Sequence, residues 1–87
     1  MKVICKYDLH RDNGQRNSLV LHEGAKILSV GIQGGLHKLW AEVDTNKPKE
    51  RRYVTGFYTG QLLPENLGKF IGTVIYGGLV YHYYETN

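Results

Sequence analysis

Two Gly-Gly pairs, each placed between apolar strand-like segments, constrain the fold of this chain more than any other feature. The chain reads Gln-Gly-Gly-Leu at residues 33–36 and Tyr-Gly-Gly-Leu at residues 76–79. A two-residue hairpin turn of type I′ needs a positive φ at both central positions, which glycine adopts without steric cost. Gly34-Gly35 and Gly77-Gly78 therefore predict two tight β-hairpins, whereas no cluster of comparable clarity indicates a reaction.

Other segments show the period-two alternation of apolar and polar residues that is typical of strands. Asp12-Asn13-Gly14 predicts a turn, and Gly56, inside a strand-like segment, predicts a bulge or a close approach to the backbone. The pattern predicts strands over residues 2–9, 17–21, 25–33, 36–43, 51–58, 69–76 and 79–85. We therefore expect one all-β domain over residues 1–87, a small antiparallel β-sandwich or partly closed barrel of about seven strands.

The aromatic content exceeds what a chain of this length can bury. A domain of 87 residues buries only about 60–65% of its extended-chain surface, so its core is thin and help from a partner subunit is expected. Seven tyrosines and one tryptophan must then partly line a surface, a groove or an interface. We expect the protein to form a homo-oligomer.

Cysteine usage and hydropathy bear on the compartment. The single cysteine, Cys5, excludes an internal disulfide and a cysteine-based zinc site, which favours a reducing environment. No apolar run approaches the ~20 residues of a membrane span or the core of a signal peptide. We expect a cytoplasmic protein without a membrane partner, whose formal net charge of +3 suits an anionic ligand.

The titratable residues show no catalytic or metal-binding pattern. The four histidines lack metal-ligand spacing and no cysteine pair completes a site. No nucleophile signature surrounds Cys5, Ser18 or Ser29, and the carboxylates are scattered along the chain. We therefore predict no catalytic residue, no metal site and no cofactor, and a protein that is not an enzyme.

The most basic stretch, residues 47–53, offers a candidate ligand site. Arginine forks bind phosphate bidentately and aromatic rings stack on bases. Arg51 and Arg52 are predicted to hold phosphates, Trp40 and Tyr58 to stack a base, and neighbouring residues to supply further donors. The full predicted site comprises Lys38, Trp40, Arg51, Arg52, Tyr58, Thr59, Gly60 and Gln61.

Simpler interpretations of the same residues stay open. A charged hairpin loop that contains Pro48 is often merely solvated, and a strand tryptophan such as Trp40 is more often a core anchor than a ligand platform. Tyr81, Tyr83 and Tyr84 lie close together in the last strand. If that strand is an edge, their exposed rings would form a subunit contact.

A pattern of short motifs resembles a family of small uncharacterised proteins of bacteria and their phages. The pattern comprises Gly24–Val30, Gln33, Leu39-Trp40-Ala41, Val43-Asp44, Thr59-Gly60, Phe70–Val74, Leu79-Val80, His82 and Glu85. Where that family reads Gly-Thr-Gly, this chain has Tyr58-Thr59-Gly60. The resemblance implies a phage setting, in which small proteins blunt host defences, some by sequestering nucleotide-derived immune signals.

These observations lead to one expected function and three rivals. We expect a non-enzymatic anti-defence protein that binds and sequesters a small phosphate-bearing, nucleotide-derived ligand. The first rival is a protein-binding module that inhibits a host protein. The second is a single-stranded nucleic-acid binder, whose affinity would fall steeply with salt; we do not expect a nucleic acid as the partner. The third is an enzyme that degrades the same ligand.

Overall fold

The computed structural model describes residues 1–10 and 16–86. Seven strands and no helix occupy these residues, which confirms the all-β class. The strands are β1 (Lys2–Leu9), β2 (Arg16–His22), β3 (Lys26–Gln33), β4 (Leu36–Asp44), β5 (Lys49–Tyr58), β6 (Lys69–Tyr76) and β7 (Leu79–Thr86). The turn predicted at Asp12-Asn13-Gly14 lies outside the described residues.

The strands form two antiparallel sheets. The three-stranded sheet has the order β1-β4-β3, and the four-stranded sheet has the order β2-β5-β7-β6. The sheets face each other as a sandwich and do not close into a barrel. Of the two arrangements that the sequence predicted, the protein therefore has the first.

Both Gly-Gly pairs make the predicted hairpins. Gly34 and Gly35 join β3 to β4 with φ values of 60° and 75°, and Gly77 and Gly78 join β6 to β7 with 61° and 79°. Because each turn needs a positive φ at both positions, residues with a Cβ would be strained there. These turns fix the register of the two hairpins, Gln33 opposite Leu36 and Tyr76 opposite Leu79.

The core lies between the sheets and is filled by alternate residues of the facing strands. Leu39, Ala41 and Val43 point inward from β4, so Trp40 lies on the outer face of the three-stranded sheet and is half-buried there. Trp40 is therefore not part of the core between the sheets. The most deeply buried side chains are Leu21, Leu39, Val43, Val54 and Tyr83.

The last strand lies inside its sheet. β7 pairs with β5 on one side and with β6 on the other. Tyr81 and Tyr83 face the other sheet and are only 2% and 0% exposed, while Tyr84 points outward. The alternative prediction of an exposed patch containing all three tyrosines is therefore wrong, because β7 is not an edge strand and successive residues alternate between its faces.

Gly56 makes room for one of these rings. A Cβ placed on Gly56 would lie 2.7 Å from Cε1 of Tyr83. The predicted close approach to this glycine is therefore confirmed, and the approaching group is a buried aromatic ring. The register irregularities lie elsewhere, between Ile27 and Ser29 in β3 and between Phe70 and Gly72 in β6.

None of the described residues belongs to a helix that is long and apolar enough to cross a membrane.

Candidate ligand-binding site

The predicted site residues Lys38 and Trp40 lie on the outer face of the three-stranded sheet. The Lys38 ammonium donates a hydrogen bond to the Asp8 carboxylate on the neighbouring strand, and this bond lowers the pKa of Asp8 below its ordinary value. The Trp40 ring lies over Gly31, where an added Cβ would be 3.2 Å from Cζ3 of the indole. These two residues therefore lie on a different sheet from Arg51, Arg52 and Tyr58, which belong to β5.

Arg51 and Arg52 point to opposite faces of the four-stranded sheet, because adjacent residues of a strand alternate. Arg51 is exposed on the outer face and donates to the Ser18 hydroxyl. Arg52 is half-buried on the inner face, where its Nε and Nη2 donate to the Glu85 carboxylate over 2.6 and 2.8 Å. Its Nη1 donates to the carbonyl oxygen of Ala25, the residue just before β3 of the other sheet, so Arg52 links the four-stranded sheet to the start of β3.

The remaining predicted residues form the turn that follows β5. The Gln61 side-chain oxygen accepts a hydrogen bond from the Tyr58 N–H over 3.0 Å, and the Gln61 N–H donates to the Tyr58 carbonyl over 3.1 Å. Gly60 has a φ of 90°, which the tight turn requires. The Thr59 N–H donates to the carbonyl of Val80, which attaches the turn to the start of β7.

This turn forms one wall of a cleft of about 290 Å³. Four of the eight predicted residues therefore meet at one site. The sequence did not predict the other four lining residues, which come from β5, the segment after the turn, and β7. The cleft is lined by Phe57, Tyr58, Thr59, Gly60, Gln61, Leu63, His82 and Tyr84.

Aromatic rings define the shape of the cleft and its surroundings. Phe57 and Tyr84 contact edge to face with ring centroids 6.0 Å apart, and Tyr84 contacts Phe70 in the same way at 5.3 Å. Tyr58 packs against buried Tyr81 at 4.6 Å. The aromatic walls of the cleft are therefore held by ring contacts of the kind that stabilise protein interiors.

His82 brings a polar ring into the same cleft. Its Nε2 is hydrogen bonded to the Thr59 hydroxyl over 2.8 Å and its Nδ1 to the Thr73 hydroxyl over 3.0 Å. A hydroxyl group both donates and accepts, so these two threonines can satisfy either tautomer of the imidazole. The cleft thus combines apolar ring faces with hydroxyl, amide and imidazole groups, which is the composition of small-molecule sites in proteins.

A second cavity, of about 450 Å³, lies at the end of the sandwich where β3, β5, β6 and β7 meet. Its lining includes Lys26, Lys69 and the Arg52–Glu85 pair. The hydrogen bonds from Arg52 lower the pKa of Glu85 below its ordinary value, against the opposing effect of burial. The Arg52 guanidinium is hydrogen bonded to Glu85 and Ala25, so at this cavity it connects neighbouring strands.

Within residues 1–10 and 16–86, no three or more histidine, cysteine, aspartate or glutamate side chains are grouped closely enough to hold a metal ion.

The fold and the cleft define a small antiparallel β-sandwich protein with an aromatic-walled cleft. The chain belongs to the family described as domain of unknown function DUF7352, whose model matches residues 1–87. No curated protein and no solved structure matches the chain.

Proposed function

We propose that this protein is a non-enzymatic binder that sequesters a small nucleotide-derived ligand, with the base of that ligand in the aromatic cleft. The observation that carries the proposal is the convergence of the Tyr58–Gln61 turn with Phe57, His82 and Tyr84 around one cavity. Aromatic rings hold bases through their faces, and each stacked base contributes about 1–3 kcal/mol. A cavity of about 290 Å³ is small, as expected for one ring system and its substituents.

Polar groups at the rim give such a ligand its orientation. The Thr59 hydroxyl and the His82 imidazole lie at one side of the cleft, and the Gln61 amide lies in the turn. These groups offer both donors and acceptors, which a base edge or a ribose requires. Arg52, by contrast, is hydrogen bonded to Glu85 and Ala25. We therefore propose that it stabilises the fold and does not bind a phosphate.

The biological setting of the proposal rests on the resemblance to phage proteins. In that setting the protein would act in the cytoplasm of the host bacterium and remove a nucleotide-derived immune signal. Self-association is part of the proposal, supported by the exposed apolar side chains of the edge strand β6, of which Phe70 and Ile75 are 51% and 71% exposed. Native mass spectrometry of the purified protein measures the subunit number.

The direct test compares adenosine, AMP and ribose 5-phosphate by isothermal titration calorimetry. We expect adenosine and AMP to bind and ribose 5-phosphate to bind at least tenfold more weakly, because the base supplies the contact with the rings. Tyr84→Leu should weaken AMP binding about tenfold, in line with the loss of one stacking contact. Bound AMP should be recovered unchanged after the protein is denatured. Conversion of AMP to a product would instead indicate that the protein is an enzyme.

The matched control is Trp40→Leu, which removes an aromatic ring from the outer face of the other sheet. It should leave AMP affinity unchanged if the cleft is the site. Equal losses in the two variants would contradict the assignment to the cleft, and an absence of binding by all three compounds would contradict the proposed function. Circular dichroism of both variants checks that each retains its fold.

A further inference from the structure

On the outer face of the four-stranded sheet, the described strand residues that point outward include several cations and no carboxylate. The outward positions follow from the register of the sheet, in which Arg16 lies opposite Thr55, and Lys49 opposite His22. Arg16, Lys49 and Arg51 lie on this face, and all three are exposed. The outer face of the three-stranded sheet differs, because Asp8 and Glu42 accompany its lysines.

Aromatic rings accompany these cations on the same face. The Arg16 guanidinium lies 4.2 Å from the centroid of the Tyr53 ring. On the same face are Phe57 and Tyr84, which line the cleft. Rings combined with cations along a groove or sheet face are the usual means of binding single-stranded nucleic acid.

The distance between the two ends of this face sets the size of the ligand. Arg51 and Phe57 lie on the same side of β5, six residues apart, which corresponds to about 20 Å at the rise of a strand. A mononucleotide whose base occupies the cleft cannot bring its phosphate to Arg51. A stacked strand advances about 3.4 Å per nucleotide, so about six nucleotides cover this distance.

We propose that the outer face of the four-stranded sheet binds a single-stranded oligonucleotide of about six nucleotides. One base lies in the aromatic cleft, the chain runs past Arg16, which lies opposite Thr55, and past Tyr53, and a phosphate reaches Arg51 at the far end. This inference rests on the proposed function, since it names the class of nucleotide ligand that the same cleft takes. It also gives Arg51 the phosphate contact that the sequence predicted, through a longer ligand.

The test is fluorescence anisotropy with labelled oligodeoxyuridylates and oligouridylates of two, four, six, eight and ten nucleotides. We expect affinity to rise steeply with length up to about six nucleotides and slowly beyond it. Arg51→Gln should weaken binding of the eight-nucleotide probe at least fivefold and reduce the slope of log affinity against log salt by about one. The same variant should leave AMP affinity unchanged, because AMP does not reach Arg51.

The control variant is Lys2→Gln, which removes one exposed positive charge from β1 in the other sheet. It should leave both the affinity for the eight-nucleotide probe and the salt slope unchanged. Equal effects of Lys2→Gln and Arg51→Gln would overturn the inference, because binding would then follow net charge alone. Tighter binding of a duplex than of the single strand would overturn it as well.

Failure of this inference differs measurably from failure of the proposed function. If AMP binding depends on Tyr84 but oligonucleotide affinity does not rise with length, the inference is overturned and the proposed function stands. If neither AMP nor any oligonucleotide binds, both are overturned. The ratio of the affinities in the two series shows whether the protein prefers DNA or RNA, because the two series differ at the 2′-hydroxyl.

Discussion

The Tyr83 hydroxyl and Nδ1 of His37 are hydrogen bonded over 2.7 Å in the middle of the sandwich. Tyr83 comes from β7 of the four-stranded sheet and His37 from β4 of the three-stranded sheet, so one polar contact joins the two layers. His37 is 3% exposed and Tyr83 is fully buried. A buried polar pair of this kind is stabilising only while both partners are present.

Tyr83→Phe should therefore lower the free energy of unfolding by about 1–3 kcal/mol, because it removes the hydroxyl that His37 Nδ1 contacts in the core. Urea denaturation followed by circular dichroism measures the change. Tyr84→Phe is the matched control, since Tyr84 is the next residue of the same strand and points outward. Similar losses in the two variants would contradict a specific role for the hydrogen bond between the sheets.

Gly56→Ala should destabilise the fold by about 1–3 kcal/mol, because an added methyl group would press on a buried ring that has no space to move. The contact is the 2.7 Å approach to Cε1 of Tyr83. Gly31→Ala provides the comparison, since its methyl group would meet the half-buried Trp40 ring at 3.2 Å. We expect thermal denaturation to show a smaller decrease for Gly31→Ala, and the reverse order would contradict this packing argument.

The neighbouring arginines should behave differently in stability measurements. Arg52→Ala removes the contacts to Glu85 and Ala25 and leaves a half-buried carboxylate, which should cost about 1–3 kcal/mol. Arg51→Ala removes one exposed contact to Ser18 and should change stability by no more than about 0.5 kcal/mol. Urea unfolding of both variants under one set of conditions gives the comparison. Equal losses would mean that Arg52 does not act as the link between the sheets.

The Arg52–Glu85 pair should also make stability depend on pH. Because the folded-state pKa of Glu85 is lowered, the carboxylate contributes stability above its ordinary pKa of 4.5 and loses that contribution as the pH falls through the folded-state value. Glu85→Gln should therefore be less stable than the unsubstituted protein at pH 7, and the difference should shrink as the pH falls below that ordinary value.

Unfolding midpoints in urea between pH 7 and pH 3 measure this dependence. Glu65→Gln is the control, since Glu65 is an exposed residue of the segment between β5 and β6. It should show no comparable convergence with the unsubstituted protein. A constant difference between Glu85→Gln and the unsubstituted protein across the range would contradict the assignment.

Local sequence predicted the elements of this fold, whereas it predicted only four of the eight residues that line the cleft. The alternation within each strand and the Gly-Gly pairs act over a few residues, so the seven strands and two hairpins were predictable. The same alternation already implied that Arg51 and Arg52 point to opposite faces of their strand. It also placed Lys38 and Trp40 on one face, as the structure has them.

The composition of the cleft had no comparable local signal. Phe57 and Tyr84 meet because β7 pairs with β5 in the same sheet, although 27 positions separate them in the chain. His82 joins them through its hydrogen bond to Thr59, which lies beyond the end of β5. Only the turn residues Tyr58–Gln61 could be selected in advance, because adjacency in sequence already brings them together.

The sequence by itself determined that this protein is an all-β domain with two Gly-Gly hairpins, because turn conformation and strand alternation depend on nearest neighbours. The tertiary structure decided which face of each strand is buried, that Tyr81 and Tyr83 belong to the core, and that Arg52 links the sheets. It also decided that an aromatic cleft forms beside His82. These features depend on strand order, which is set by the packing of one sheet against the other and not by any single segment.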